Sequence, residues 1–332
     1  MGKNNHRQTF LVTAITSAVL FSAVVAVPAF AQETKTKIRI SYPNTSICCL
    51  ALFAAQQWKI FEQNGLDVES IQMRSQAANS ALASGDIHYV AGVGPNSVAA
   101  TLRGLPSKAV WFASESLIYS VLAQPEFKSL KELRGKRIGL TGLGGTSDVA
   151  LRIALEAVGE NYKNFVVVAL GAPQLVSGLE SGAIEAAQLN SPLNYHAKKK
   201  GFRSLLEIGD YVQMPLGGLT ASNAAIQNRR GELKRVIYSL QTAKRTLLQS
   251  KEKAIDLIMR TIRVDREVAE EMFADNRRSA AGNGVPSREG MEQIIKSLQM
   301  LGQFSGKKIA FDEIADTRIA WEVAKELGYK VD

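Results

Sequence analysis

Hydrophobic positions divide the chain into two unlike stretches. Residues 10–27 carry no charge, whereas beyond residue 35 short apolar runs alternate with longer segments of helical spacing. Short runs predict strands at 38–42, 68–73, 88–92, 137–141, 165–170 and 186–189, of which 68–73 and 165–170 are rich in β-forming residues. Between them, apolar residues spaced three and four apart predict helices near 49–64, 77–84, 147–159 and 173–181. Gly85 and Gly182 follow two of these helices, as glycine does where a helix ends in the left-handed conformation.

The order strand-helix-strand-helix-strand occurs twice, and part of the sequence repeats with it. Leu82-Ala83-Ser84-Gly85-Asp86-Ile87 returns as Leu179-Glu180-Ser181-Gly182-Ala183-Ile184, an offset of 97 that also carries Pro95 onto Pro192. Each copy predicts a doubly wound parallel sheet with right-handed crossovers. The expected fold is therefore α/β, with two similar doubly wound lobes. Residues 109–124 and 214–221 do not repeat and read as extended. They are expected to be two passages between the lobes, hinged at 113–120 and 216–222. Lobe 1 is then 32–118 with 219–332, and lobe 2 is 119–218. From residue 225 onward Leu233, Val236, Ile237, Leu240 and Leu247 mark helical spacing, broken at Gly282-Asn283-Gly284-Val285-Pro286. This helical tail is expected to cover the sheet of lobe 1.

Composition narrows the picture. A chain of 332 residues exceeds one ordinary core, and 46% hydrophobic with 21% charged residues excludes a disordered or fibrous chain. The first 31 residues have a basic start (Lys3, Arg7), the uncharged run, and Ala29-Phe30-Ala31 before Gln32. That is the pattern of a secretory signal peptide, residues 1–31, cleaved to leave a mature chain in the periplasm. The run is about long enough to span a bilayer, but Pro28 and the small-x-small site favour cleavage over a retained anchor. Removing Lys3 and Arg7 takes the net charge from +9 to +7. The remaining positive charge is dispersed. Its densest spots, Lys198-Lys199-Lys200 and Arg277-Arg278, lie in charge-rich segments that read as solvated surface, so no nucleic-acid partner is expected.

Candidate chemistry is sparse. Two adjacent cysteines, Cys48 and Cys49, cannot build a disulfide framework or a Cys-rich zinc site. A free cysteine behaves as a small hydrophobe, although an adjacent pair in an oxidising compartment can also close a strained disulfide. Three histidines leave little for metal binding. No paired-carboxylate motif, HExxH, GxSxG or Ser-His-Asp order is present. No catalytic residue, metal or cofactor is expected, and the chain is not read as an enzyme. Gly142-Leu143-Gly144-Gly145-Thr146-Ser147 departs from GxGxxG at Ser147 and lacks the lysine of a phosphate-binding P-loop.

Binding is where the residues point. In an open α/β sheet, ligands sit beyond the carboxyl ends of the strands. The four loops there carry Asn44, Thr45 and Ser46; Pro95, Asn96 and Ser97; Gly145, Thr146 and Ser147; and Asn190 and Ser191. All are small, polar and uncharged, and three run into a helix. Helix N-termini offer unpaired N–H groups and partial positive charge, hydroxyls add donors, and glycine admits close approach. Four such loops facing one cleft suit a small anion. Taken singly, each is also an ordinary helix cap. Arg74 follows a strand end and is open to pairing with an anionic ligand or a surface acid. Glu115 in the first passage would oppose an anion if it faced the cleft.

Three segments carry a family resemblance. Ala54-Ala55-Gln56-Gln57-Trp58-Lys59-Ile60-Phe61-Glu62-Gln63-Asn64-Gly65-Leu66-Asp67-Val68-Glu69 resembles the A-x-x-x-G-x-F-x-x-x-G-L-D-V-E segment of periplasmic binding proteins of the nitrate, taurine and alkanesulfonate type. Lys59 stands where that family has glycine. Ala83-Ser84-Gly85-Asp86-Ile87-His88 is similar to its S-G-x-x-D turn, with His88 in place of Asp. Leu130-Lys131-Glu132-Leu133-Arg134-Gly135-Lys136-Arg137-Ile138-Gly139 is similar to its L-K-x-L-K-G-K-x-I-G. The resemblance implies a type II periplasmic-binding-protein fold. It also implies a solute receptor, read here as a monomer that binds a small organic anion, such as a sulfonate or carboxylate, in the interlobe cleft. The receptor would deliver that ligand to the permease and ATPase of an ABC importer. An exported or pyrimidine-precursor enzyme on the same fold, and a sensor subunit, are the alternatives.

Overall fold

A computed structural model describes residues 1–2, 35–215 and 217–330. All but the first two residues of the expected signal segment lie outside the described residues. Ten strands occur among the described residues: β1 (Thr36–Tyr42), β2 (Leu66–Gln72), β3 (Tyr89–Val90), β4 (Ser107–Phe112), β5 (Tyr119–Ala123), β6 (Arg137–Leu140), β7 (Val166–Ala169), β8 (Ala186–Asn190), β9 (Arg203–Glu207) and β10 (Gly218–Ser222). They form two five-stranded sheets, ordered β2-β1-β3-β10-β4 and β7-β6-β8-β5-β9. The two orders coincide once β10 and β5 are exchanged. Each sheet is thus completed by the strand that crosses over from the other half of the chain.

Two expectations need correction. The sheets are not wholly parallel. β1 pairs in parallel with β2 and β3, and β6 with β7 and β8, but β10 and β5 run antiparallel to both their neighbours. Residues 109–124 are also not one extended passage. β4 ends at Phe112 and β5 starts at Tyr119, and the segment between them is pinned by other parts of the chain. Ala113 N–H donates to the Gly217 carbonyl (2.9 Å) and Glu115 N–H to the Ser279 carbonyl (2.8 Å). β9, Arg203-Ser204-Leu205-Leu206-Glu207, lies outside the segments that the sequence pattern marks as strands. Pairing with β5 makes it one.

The helix expected over 49–64 is broken. A single 3-10 turn (Ile47–Cys49) leads into Leu50–Gln57, and a separate turn spans Ile60–Gln63. Between them Lys59 adopts the left-handed conformation, φ 57°. A side chain there costs about 1–2 kcal/mol through crowding of its Cβ. This is the position at which the related motif has glycine.

The helical tail reaches further than expected. Helix Arg230–Gln249 buries Leu233, Val236, Ile237, Leu240 and Leu247 against helix Leu50–Gln57. Each such side chain contributes about 1.5–3 kcal/mol. Helix Arg266–Ser279, however, also touches helix Leu193–Lys199 beside the second sheet. Met291, Ile294 and Leu298 share one apolar cluster with Val98 of the first lobe and Leu140 and Leu151 of the second. Lys244 is 2% exposed. Its ammonium donates to the carbonyls of Phe112 (3.3 Å) and Ala281 and lies 5.4 Å from the centre of the Trp111 ring. Burial pulls its pKa down to about 7, with Glu115 opposing the shift.

Candidate binding site

The polar turns at the carboxyl ends of β1, β2 and β3 meet one turn from the second sheet. β2 leads into helix Ser75–Ser84, β3 into helix Pro95–Leu102, and β6 into helix Thr146–Ala157. Their first turns surround a cavity of about 70 Å³ lined by Ser41, Tyr42, Ser75, Asn96, Ser97 and Thr146 among others. A single water needs roughly 10–15 Å³ of such space, so the cavity admits a polar group of a few heavy atoms. Among the described residues no Asp, Glu, Lys, Arg, His or Cys lines it. Helix N-termini attract anions through partial charge alone, so the three helix starts at the cavity can favour an anion without a charged side chain.

Ser41 is 0% exposed, and its hydroxyl has no hydrogen-bond partner among the described residues. Leaving such a group unpaired costs about 1–3 kcal/mol. A ligand acceptor in the cavity would satisfy it. Tyr42 forms an adjoining wall, its ring held edge-on by Phe53 at 5.2 Å and 89°. Thr146 is the contribution of the second lobe. A Cβ at Gly94 would lie 3.2 Å from Thr146 Oγ1, so glycine permits the two lobes to meet there.

The structure divides the residues expected in the site. Asn96, Ser97 and Thr146 line the cavity. Pro95 is buried at the first position of its helix, outside the lining, and Gly145 is the residue preceding helix Thr146–Ala157. Asn44 and Thr45 are exposed. The Ser46 hydroxyl donates to Asn44 Oδ1 at 2.6 Å. Ser147 serves its own loop: its hydroxyl accepts from Thr141 (3.0 Å) and contacts the Gly142 carbonyl (3.4 Å). Asn190 ends β8, and Ser191 is fully buried and donates to Asp275 at 2.8 Å.

The donors at the turns after β6 and β8 are thus met by acids of the chain itself, one near in sequence and one remote. Asp148, in the first turn of helix Thr146–Ala157, accepts the Gly144 N–H (2.8 Å) and the Tyr162 hydroxyl (2.6 Å) and pairs with Arg152 (3.0 Å). Asp275 accepts Ser191, Tyr195 (2.6 Å) and Arg278. These carboxylates take the donors that an incoming anion would need. Helices Ser75–Ser84 and Pro95–Leu102 have no acid in their first turns.

Pattern reading missed Ser41, Tyr42 and Ser75. Ser41 and Tyr42 read as the last residues of a strand. Ser75 was overlooked because the helix was expected to begin at residue 77. The turn after β2 obeys the same strand-to-helix logic as the other loops and could have been included on that ground. Arg74 is exposed and does not line the cavity. Glu115 lies outside it, its carboxyl pushed up by burial and by Glu289, against the pull of Lys244. Trp111 is core, its Nε1–H donating to Gln241 at 2.9 Å. Among the described residues no three His, Cys, Asp or Glu side chains converge as metal ligands.

Comparisons with known proteins bear on the family and the fold. The family described as NMT1/THI5 like matches residues 48–254. A Brucella abortus protein provisionally described as a binding protein is 26% identical over 275 residues, 78% of this chain and 80% of its own length. The periplasmic aliphatic sulphonate binding protein SsuA from Escherichia coli superposes with a TM-score of 0.73 at 15% identity, over 86% of this chain and 99% of that one. The desulfurization enzyme DSZB superposes at 0.67 and 13% identity, over 87% and 99%. At these identities the solved structures establish the fold, that of type II periplasmic binding proteins. Binding proteins and an enzyme share it.

Proposed function

The chain belongs to the NMT1/THI5-like family, and from that premise we propose that it is the substrate-binding component of an ABC importer, holding the acidic head of a small organic anion between its lobes. The observation that carries this reading is the unpaired hydroxyl of Ser41, fully buried in a cavity where three helix starts converge and Thr146 closes from the other lobe. Ser41, Ser75, Ser97 and Thr146 supply neutral donors, and the helix ends supply the field. Such a site suits one negative charge better than several, because no cation stands by to balance a second. A sulfonate or monocarboxylate fits that requirement. The cavity takes the head, and the rest of the ligand extends along the cleft.

The absence of any acid, base or thiol in the cavity lining supports binding without turnover. A hydrolytic or transfer step would need a titratable group placed against the ligand, and the one such side chain there, Tyr42, is a ring wall. In this reading residues 1–31 direct export and are removed. Residues 32–118 with 219–332 close on residues 119–218 as a monomer in the periplasm, and the closed form docks on the permease and ATPase.

Thermal-shift screening of sulfonates, monocarboxylates, dicarboxylates and neutral heterocycles tests the proposal. Monoanions are expected to raise the melting temperature, and the best of them should contract the molecule in solution scattering. A panel in which only neutral or doubly charged compounds bind would overturn the monoanion assignment.

A further inference from the structure

We propose that Cys48 and Cys49 form a reversible dithiol–disulfide pair beside the first strand-end loop, a modification site that does not depend on what the cleft binds. They are the chain's two cysteines, and both are free. Their Sγ atoms lie 3.0 Å apart. Cys48 is half-buried and Cys49 is 2% exposed. Cys48 Sγ also contacts the Ser46 hydroxyl at 3.3 Å and stands 4.0 Å from Asn44 Oδ1.

The two thiols are unequal, which assigns their roles. Hydrogen bonds from Cys49 and Ser46 hold the Cys48 thiol below its ordinary range, while the proximity of Cys48 and burial push Cys49 up. Cys48 is therefore the attacking group, being the more acidic and the more accessible. With glutathione disulfide as oxidant, the Cys48 thiolate bonds to one glutathione sulfur and the other leaves as glutathione thiolate. Cys49 then loses its proton to solvent, bonds to Cys48 Sγ, and expels the second glutathione. Two protein thiols are oxidised by two electrons, and the oxidant is reduced to two thiols.

Adjacency makes the bond reversible. Consecutive Cα atoms are about 3.8 Å apart, below the roughly 4.4–6.8 Å that an unstrained disulfide spans. Strained disulfides are more easily reduced and belong to the labile class. A ring between neighbours also closes almost no chain, so it adds little stability. Its effect is local. The Cys48 carbonyl oxygen would be only 2.6 Å from a Cβ at Gly217. Re-setting the Cys48–Cys49 peptide therefore acts where the first loop abuts the second passage between lobes.

The test uses the folded full chain, glutathione disulfide, thiol titration and intact mass. Titratable thiols are expected to fall from two per chain to none, with the mass lowered by two hydrogens and no glutathione retained. Dithiothreitol should restore both thiols. Cys49→Ser should stop at one glutathione per chain on Cys48, and Cys48→Ser should take up none. Retention of both thiols by the wild-type protein, a persistent glutathione adduct, or a disulfide-linked dimer would overturn the proposal. So would equal adduct formation by the two variants. If either variant fails to fold, the wild-type mass alone decides.

Discussion

Thr146 and Ser147 are neighbours with similar side chains, yet the structure gives them different work. Thr146 lines the cavity. Ser147 is 4% exposed, with its hydroxyl engaged by Thr141 and Gly142. Thr146→Ala should therefore remove a donor to the ligand's charged head. A hydrogen bond to a charged group contributes about 1.5–3 kcal/mol, so affinity should fall roughly 10- to 100-fold. Folding stability should change by no more than about 0.5 kcal/mol. Ser147→Ala should do the reverse. Loss of this buried, hydrogen-bonded hydroxyl costs about 0.5–1.5 kcal/mol of stability, while affinity should stay within about twofold of the parent. Calorimetry with the ligand identified by thermal shift gives the first quantity, and urea unfolding of the ligand-free protein gives the second. If Ser147→Ala loses affinity as Thr146→Ala does, the hydroxyls act together and the division drawn here is wrong. If Thr146→Ala binds as tightly as the parent, the ligand does not use this turn.

Three further outcomes follow from local geometry. The folded state releases the Lys244 proton near pH 7, whereas the unfolded chain holds it to about pH 10.4. The unfolded state thus binds more protons across that window, and stability should rise with pH by up to about 1.4 kcal/mol per unit. Lys244→Met should flatten that slope in urea unfolding from pH 7.5 to 9, and an unchanged slope would place the proton elsewhere. Lys59→Gly should raise stability by about 0.5–1 kcal/mol, the relief of left-handed strain less the added freedom of the unfolded chain; a loss of stability would mean that the Lys59 side chain makes a compensating contact. Gly217→Ala forces a Cβ to 2.6 Å from the Cys48 carbonyl and should destabilise by about 1–3 kcal/mol in thermal unfolding, and an unchanged melting temperature would show that the passage shifts freely.

Much of the architecture was legible because it rests on local pattern. Alternation and β-branching mark β1, β2 and β6. Three-four spacing marks the helices, and the repeat aligns Gly85 with Gly182, both left-handed at φ 82° and 72°. These features depend on residues near one another in the chain. β9 and the antiparallel placement of β5 and β10 do not. They exist because strands from distant segments complete each other's hydrogen bonds, and their own sequences say little about the partner. The break at Lys59 shows the same limit from the other side. Helical spacing runs through it, and the turn toward β2 overrides that spacing.

The candidate site follows this division. Small polar loops at strand ends are a property of the sequence, and they led to Asn96, Ser97 and Thr146 by their own composition. Which of the matching loops stays open was decided by tertiary structure. Asp148 lies close to its loop in sequence, but only the fold turns its carboxylate back onto Gly144. Asp275 reaches Ser191 from 84 residues away. A carboxylate and an incoming anion compete for the same N–H and O–H donors, so the turns after β6 and β8, which Asp148 and Asp275 reach, are engaged within the protein. The sequence carries every one of these donors and acids. The fold chooses which of them meet, because a hydrogen bond requires contact at about 3 Å and no periodicity along a chain encodes that distance between remote residues.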